Sequence, residues 1–258
     1  MDLDWGDGDY ATIAATLEPA AEDAVETAGV ARGDWVLDVA CGTGNAALVA
    51  AARGASVVGV DLSEQLVDMA RVRAARARVQ DATFLVGDAG NLPVEAGSFD
   101  RAVSVFGVIF APDPALALAQ MRSALRPGGS LVIASWLGRG PVDDGGGILR
   151  SALQEATGGD GPRPQWDDPA WVADLVAGAG ARDVTQHEGE LPTEADSPEA
   201  WFEEQTANHP VWRWARRIIP AGRWDRVRDD SVAALAAGNE DPEAFRALMP
   251  YLVTRATA

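Results

Sequence analysis

Three aspartates placed where apolar runs give out are the residues of this chain best suited to chemistry. They are Asp38 in VLDVACGTGN, Asp61 at the end of SVVGVDL and Asp88 at the end of TFLVGDA. A carboxylate accepts hydrogen bonds from hydroxyls and amines, so three of them at one edge would suit a polar, nucleotide-like ligand. Beside the first lies a turn in which Gly42 and Gly44 carry no side chains to keep a ligand off the backbone. A helix opens at Asn45, and its N-terminus offers free N–H groups and a partial positive field. A glycine turn also serves simply to join strand to helix, so the later acids raise the ligand reading. Asp61 follows Gly44 by 17 residues, near the spacing at which an acid ending the second strand receives ribose hydroxyls. Its alternative role is to cap the next helix, for which Ser63 is better placed. Groups able to move a proton are few: His187, His209 and Tyr10. His209 lies in an aromatic stretch and titrates in a useful range, although a lone histidine is commonly structural. His187 falls in a later strand.

Holding those acids together requires a regular framework. The run Trp35 to Val39 reads as a strand, Asn45 to Arg53 as a helix stopped by Gly54, and Ser56 to Leu62 as a second strand. Continuous rather than alternating apolarity suits parallel strands buried on both faces. A helix from Glu64 to about Arg78 carries Leu66, Met69 and Val72 inward. Thr83 to Ala89 is the third strand and Phe99 to Gly107 the fourth, followed by the loop VIFAPD. Asp113 and Pro114 open a helix whose Leu118, Met121 and Leu125 face the sheet. RPGG, residues 126–129, then turns into the fifth strand, SLVIASW. Five repeats of this alternation predict an α/β, doubly wound sheet with its acids on one edge.

The flanks are less regular. WGDGDY, Trp5 to Tyr10, is a loop that either ties its aromatics to the core or folds over the ligand site. Ile13 and Leu17 mark a short helix, and Pro19 opens another that stops at Gly29. After Leu137, GRGPVDDGGG is expected to be flexible, with a short helix near Ile148 to Leu153. Asp167 to Gly180 is a capped helix, and a strand follows near Asp183 to Leu191. Ser197 to Gly238 reads as a helical insertion carrying Trp201, Phe202, Trp212, Trp214 and Trp224, and Pro250 to Ala258 closes as a strand. Those aromatics either pack helices or line a pocket for a bulky apolar or aromatic molecule. Arg213, Arg216 and Arg217 form a solvated face or steer an acidic acceptor.

Composition narrows the function. The 258 residues suit one domain with an appended lid, and 47% are apolar, enough for a core. The net charge is −18, and every base is arginine. Such a surface repels phosphate backbones and anionic membranes, which argues against nucleic acid or membrane as partner. Cys41 is the single cysteine, so neither an internal disulfide nor a cysteine metal cluster is available. With no long apolar run and an acidic start, the expectation is a cytoplasmic protein, monomeric or homodimeric, that binds no metal.

VLDVACGTGN, VVGVDLS, VGDAGNLP, SFDRAVS and LRPGG, in this order and spacing, closely resemble the class I S-adenosylmethionine-dependent methyltransferases, nearest to the small-molecule type. The resemblance covers residues from about 30 to 136. It implies a Rossmann-like sheet of seven strands in the order 3-2-1-4-5-7-6, the last antiparallel. Core segments at about 30–136, 181–191 and 250–258 would carry a helical lid at about 197–240, with residues 1–29 covering the site. It implies S-adenosyl-L-methionine as cofactor, with Asp38, Ala40, Gly42 and Gly44 against its methionine end. Asp61 would bind the ribose, Leu62 would pack on the adenine, and Asp88 and Ala89 would meet the adenine amino group. Ser104, Val105 and Phe106 would flank the sulfonium. Ala40 replaces the usual first glycine of the turn, and Ile109 and Phe110 stand where many relatives carry histidine. The implied reaction is methyl transfer to a small acceptor, with His209 or Tyr10 as the base if one is needed. The arginine- and alanine-rich composition suggests a GC-rich genome, where this family commonly tailors secondary metabolites. The alternative is a cyclase that keeps the same cofactor as a structural ligand.

Overall fold

The computed structural model describes residues 5–158 and 164–258. Its strands are β1 (Trp35–Val39), β2 (Ser56–Asp61), β3 (Ala82–Val86), β4 (Phe99–Val105), β5 (Leu125–Trp136), β6 (Arg182–Ala195) and β7 (Phe245–Thr257). They form one sheet in the order β3-β2-β1-β4-β5-β7-β6. Pairing is parallel from β3 to β5, and β7 runs antiparallel to β5, with Trp136 opposite Tyr251. This is the mostly parallel, doubly wound sheet that the alternation predicts. Val36, Leu37 and Val39 are wholly buried, as a central parallel strand covered on both faces requires. The chain winds outward from β1 to β3 and then from β4 to β5 on the other side. That leaves a switch point where the C-terminal ends of β1 and β4 lie side by side.

The helices are α1 (Tyr10–Thr16), α2 (Glu18–Thr27), α3 (Asn45–Ala52), α4 (Glu64–Arg76), α5 (Pro114–Ala124), α6 (Pro141–Thr157), α7 (Pro169–Gly178), α8 (Pro198–Asn208), α9 (Pro210–Ile218) and α10 (Ala221–Ala237). Side-chain caps at Ser63, Asp113, Asp168 and Ser197 begin α4, α5, α7 and α8, each accepting an otherwise orphaned N–H. Ser63 thus takes the capping role that Asp61 could have filled.

The chain divides into two compact units. The sheet unit comprises Leu17–Trp136, Pro164–Gly189 and Tyr251–Ala258. The helical unit comprises the described parts of Met1–Thr16 and Leu137–Arg163, with Glu190–Pro250. Residues 5–16 therefore group with the insertion, whereas α2 belongs to the sheet unit, packed on β4 and β5.

Several local expectations change. Val72 on α4 is half exposed, and the inward face is Leu66, Val67, Ala70 and Ala74; small alanines let α4 lie close on the sheet. Leu125 begins β5 instead of ending α5. The third strand stops at Val86, leaving Gly87 and Asp88 in a turn bridged to Asn91. GRGPVDDGGG is not a flexible link from Pro141 onward, because α6 runs through all three glycines. Gly145 is buried against α10, where the Ser231 hydroxyl donates to the Gly145 carbonyl at 3.1 Å. Close packing on α10 thus outweighs the poor helix propensity of glycine.

Candidate functional site

The turn after β1 is built from unusual backbone. Ala40, Gly42 and Gly44 all lie in the left-handed region, at φ 53°, 54° and 84°. For Ala40 this conformation costs about 1 kcal/mol. Gly107, at the end of β4, makes room for it: a Cβ there would lie 2.5 Å from the Ala40 Cβ and 2.6 Å from its carbonyl oxygen. On the other side, a Cβ on Gly44 would sit 3.0 Å from the Phe84 ring. The Cys41 N–H donates to the Val60 carbonyl at 3.0 Å, tying the turn to β2. The Cys41 thiol itself is buried, and burial pushes its pKa up.

Two carboxylates hold this turn from behind. Asp38 is 2% exposed and accepts from the Ala47 N–H in the first turn of α3 at 2.9 Å. Burial pushes its pKa up to about 7, with the Ala47 hydrogen bond opposing and the nearby Asp61 adding to the rise. Asp61 accepts from the Gly42 N–H at 2.8 Å through one oxygen and from the Ser63 N–H at 2.9 Å through the other. Burial raises its pKa as well, opposed by those backbone hydrogen bonds. Each oxygen keeps further accepting capacity for a hydroxyl. Asp61 is therefore a latch between β2 and the glycine turn as well as an acceptor.

The neighbouring strand ends supply the remaining surfaces. Leu62 is 66% exposed, an apolar side chain left uncovered directly after Asp61. Asp88 is exposed and accepts from the Gly90 N–H at 2.7 Å, with Ala89 half-buried beside it. Ser104 is engaged within the sheet. Its buried hydroxyl donates to the Val39 carbonyl at 2.7 Å and accepts from the Val108 N–H at 3.1 Å, so it staples β4 to β1. Val105 is half-buried, and Phe106 turns into the left-handed region at φ 55°. The Phe106 ring stacks on Trp136 at 3.8 Å and meets Tyr251 edge-on at 5.9 Å. This aromatic group stands at the C-terminal ends of β4 and β5.

Of the candidate bases, His209 and Tyr10 belong to the helical unit and His187 to the sheet unit. His209 Nδ1 accepts from the Val211 N–H at 3.2 Å as the cap of α9, which puts its proton on Nε2. Burial lowers its pKa to about 4, and the Nδ1 lone pair is engaged by the Val211 N–H. Tyr10 is the half-buried first residue of α1, in the helical unit with His209. His187 Nε2 meets the Asp23 carboxylate at 2.9 Å, and the Tyr251 hydroxyl donates to the same carboxylate at 2.9 Å. Those contacts join α2 to β6 and β7.

The aromatic insertion resolves mainly as core. Trp201, Phe202, Trp212 and Trp224 are each at most 8% exposed and pack on one another edge-on or tilted, with Phe245 against Trp201. The arginine run is not a bare solvated face: Arg213 and Arg217 both pair with Asp7, and Arg216 lies over the Trp224 ring at 5.2 Å. Two residues of the sheet unit escaped the reading of the sequence. Gly107 had one indirect signal, the alanine at position 40. Arg73 had none, being one of four arginines on α4 and the residues just after it.

Residues 36–129 match the family model described as a methyltransferase domain. Among named relatives is the methyltransferase GfsG of Streptomyces halstedii, 37% identical over 134 residues, 51% of this chain and 48% of the relative. The chain spans about half the length of the first curated relatives it matches, uncharacterised mycobacterial proteins at 39% identity. Among solved structures, that of a methyltransferase-like protein from Bacillus halodurans covers 93% of this chain and 98% of its own, at TM-score 0.64 and 18% identity. The [4+2]-cyclase SpnF shares the fold at TM-score 0.56 and 18% identity, over 93% of this chain and 80% of its own. Residues 36–129 thus match a methyltransferase domain, and the sheet has the strand order of the class I S-adenosylmethionine-dependent methyltransferase fold. Among the described residues, no helix is long and apolar enough to cross a membrane.

Proposed function

We propose that this chain transfers a methyl group from S-adenosylmethionine to a small, largely apolar or aromatic metabolite, of the kind tailored in secondary metabolism. The observation that carries the cofactor reading is the set formed by the glycine turn, the Asp61 latch and the uncovered Leu62 at adjoining strand ends. The donor set fits that molecule. Asp61 has accepting capacity for ribose hydroxyls, Leu62 offers an apolar surface for a purine ring, and Asp88 offers a carboxylate for an exocyclic amine. Asp38, Ala40, Gly42 and Gly44 would hold the amino-acid end. When bound, the cofactor supplies an electrophilic methyl on a sulfonium whose neutral thioether leaving group needs no acid.

The chain's own contribution is alignment and exclusion of water. Phe106 stacked on Trp136 puts aromatic rings at the ends of β4 and β5, and the apolar Ile109 and Phe110 follow shortly after Phe106 in the chain. Such rings favour a planar or apolar acceptor. With its Nδ1 engaged in capping α9, His209 is suited to a structural role in the helical unit. An acceptor that arrives nucleophilic, such as a phenolate oxygen or a neutral amine, needs no base from the chain.

Thermal melting tests the cofactor: S-adenosylmethionine and S-adenosylhomocysteine raise the melting temperature and NAD does not, whereas a flat response to the first two refutes the assignment. The reaction is tested by incubation with candidate acceptors. One S-adenosylhomocysteine released per product supports transfer, and product formed without that release supports the cyclase alternative.

A further inference from the structure

The glycine turn has a further brace, from α4. Arg73, on α4, points its guanidinium at the residues between Gly42 and α3. Its Nη1 donates to the Thr43 carbonyl at 2.9 Å, to the Thr43 hydroxyl at 2.8 Å and to the Asn45 side-chain oxygen at 2.6 Å. Its Nη2 donates to Glu18 Oε1 at 2.9 Å, at the first turn of α2. All four partners belong to the sheet unit. Thr43 is 2% exposed, so its side chain is held between the strands and this guanidinium.

The contact answers a physical need of the turn. Three of its five residues from Ala40 to Gly44 sit in the left-handed region, and glycines bring extra freedom that has to be removed for the backbone to keep one shape. Asp61 and Asp38 fix the turn through Gly42 and Ala47. Neither reaches Thr43, the residue between the two glycines. Arg73 does, and it grips both ends of that residue with a charged donor, the stronger kind of hydrogen bond.

We propose that Arg73 is a positioning residue for the cofactor: acting through Thr43 and Asn45, it holds the glycine turn and the start of α3 in the shape that receives the amino-acid end of S-adenosylmethionine. The proposal rests on the cofactor reading above. It also assigns Glu18 a lesser part, since Glu18 orients the guanidinium without touching the turn. Lysine has three donors on one nitrogen and can replace the three Nη1 contacts, though not the one to Glu18.

Calorimetric titration of S-adenosylhomocysteine into the full-length chain tests this, with ligand-free melting measured in parallel. Arg73→Met is expected to weaken binding by about tenfold or more, the scale of losing hydrogen bonds to a charged group. Arg73→Lys is expected to restore most of the affinity, and Glu18→Gln to change it by less than about threefold. Ligand-free melting of the lysine and methionine variants should be alike, which separates positioning from general stability. Wild-type affinity in Arg73→Met overturns the inference. So does a loss that lysine fails to restore and that tracks a lowered melting temperature. A wild-type chain that binds neither S-adenosylmethionine nor its product overturns the cofactor reading, and this inference with it.

Discussion

At the scale of single residues, two acids of the site do different work. Asp61 holds the turn through Gly42 while keeping acceptor capacity, so Asp61→Ala should weaken S-adenosylmethionine binding by roughly 1–3 kcal/mol in calorimetry. Unchanged affinity would remove it from the site. Asp38 should instead reveal itself through pH. Its folded pKa of about 7 lies above the ordinary 3.8, so the folded chain holds this proton more tightly than the unfolded chain does. Its contribution to stability is therefore fully present below about pH 4 and is lost as pH rises through 7. The stability of Asp38→Asn relative to wild type should accordingly improve between pH 4 and 7, by up to about 1.4 kcal/mol per pH unit, when the two are unfolded in urea. A constant difference across that range would mean that Asp38 is not a buried, proton-holding acid.

At the scale of elements, the ends of β4 and α9 carry the informative contacts. Gly107→Ala would drive a methyl into Ala40, which already occupies a costly conformation, and the backbone carbonyl blocks escape. The variant should lose about 1–3 kcal/mol of stability and bind cofactor poorly, measured by denaturant unfolding and calorimetry. At α9, His209→Ala removes the cap and should cost about 1 kcal/mol. His209→Asn supplies a conventional cap with no titrating group, so it should keep both stability and methyl-transfer activity. A collapse of turnover in the asparagine variant alone would restore His209 as a base. The arginines of α9 also follow from their partners: Asp7 gathers Arg213 and Arg217, and the N-terminal loop is drawn against α8, where a Cβ on Gly8 would lie 2.5 Å from the Asn208 carbonyl.

At the scale of the molecule, charge is the dominant unspent force. A net charge of −18 repels itself in the compact state. Added salt should raise the melting temperature as screening shortens the Debye length to about 10 Å near 0.1 M; a melting temperature that falls with salt would show that ion pairs outweigh the repulsion. The two units have cores of different character. The sheet unit is packed with valine, leucine and alanine, and the helical unit is centred on tryptophan and phenylalanine. That aromatic concentration is accounted for by packing within the helical unit, so the acceptor-facing aromatics proposed above are those at the ends of β4 and β5.

The alternation of strand and helix, the glycine turn at 42 and 44 and the acids at the ends of β1 and β2, Asp38 and Asp61, were legible in the sequence, because each rests on chain-local physics. Parallel strands demand unbroken apolar runs, and a tight turn demands residues without a Cβ. What side chains do with their polar atoms was not legible. Ser104 became a staple, Arg73 a brace and Arg213 a partner of Asp7. In each case the choice fell to whichever donor or acceptor folding brought within 3.0 Å. The glycines of α6 made the same point for backbone, since only packing on α10 turned an apparent linker into helix. A hydrogen bond reaches a few ångströms in space and is indifferent to separation along the chain, so tertiary structure alone decided these roles.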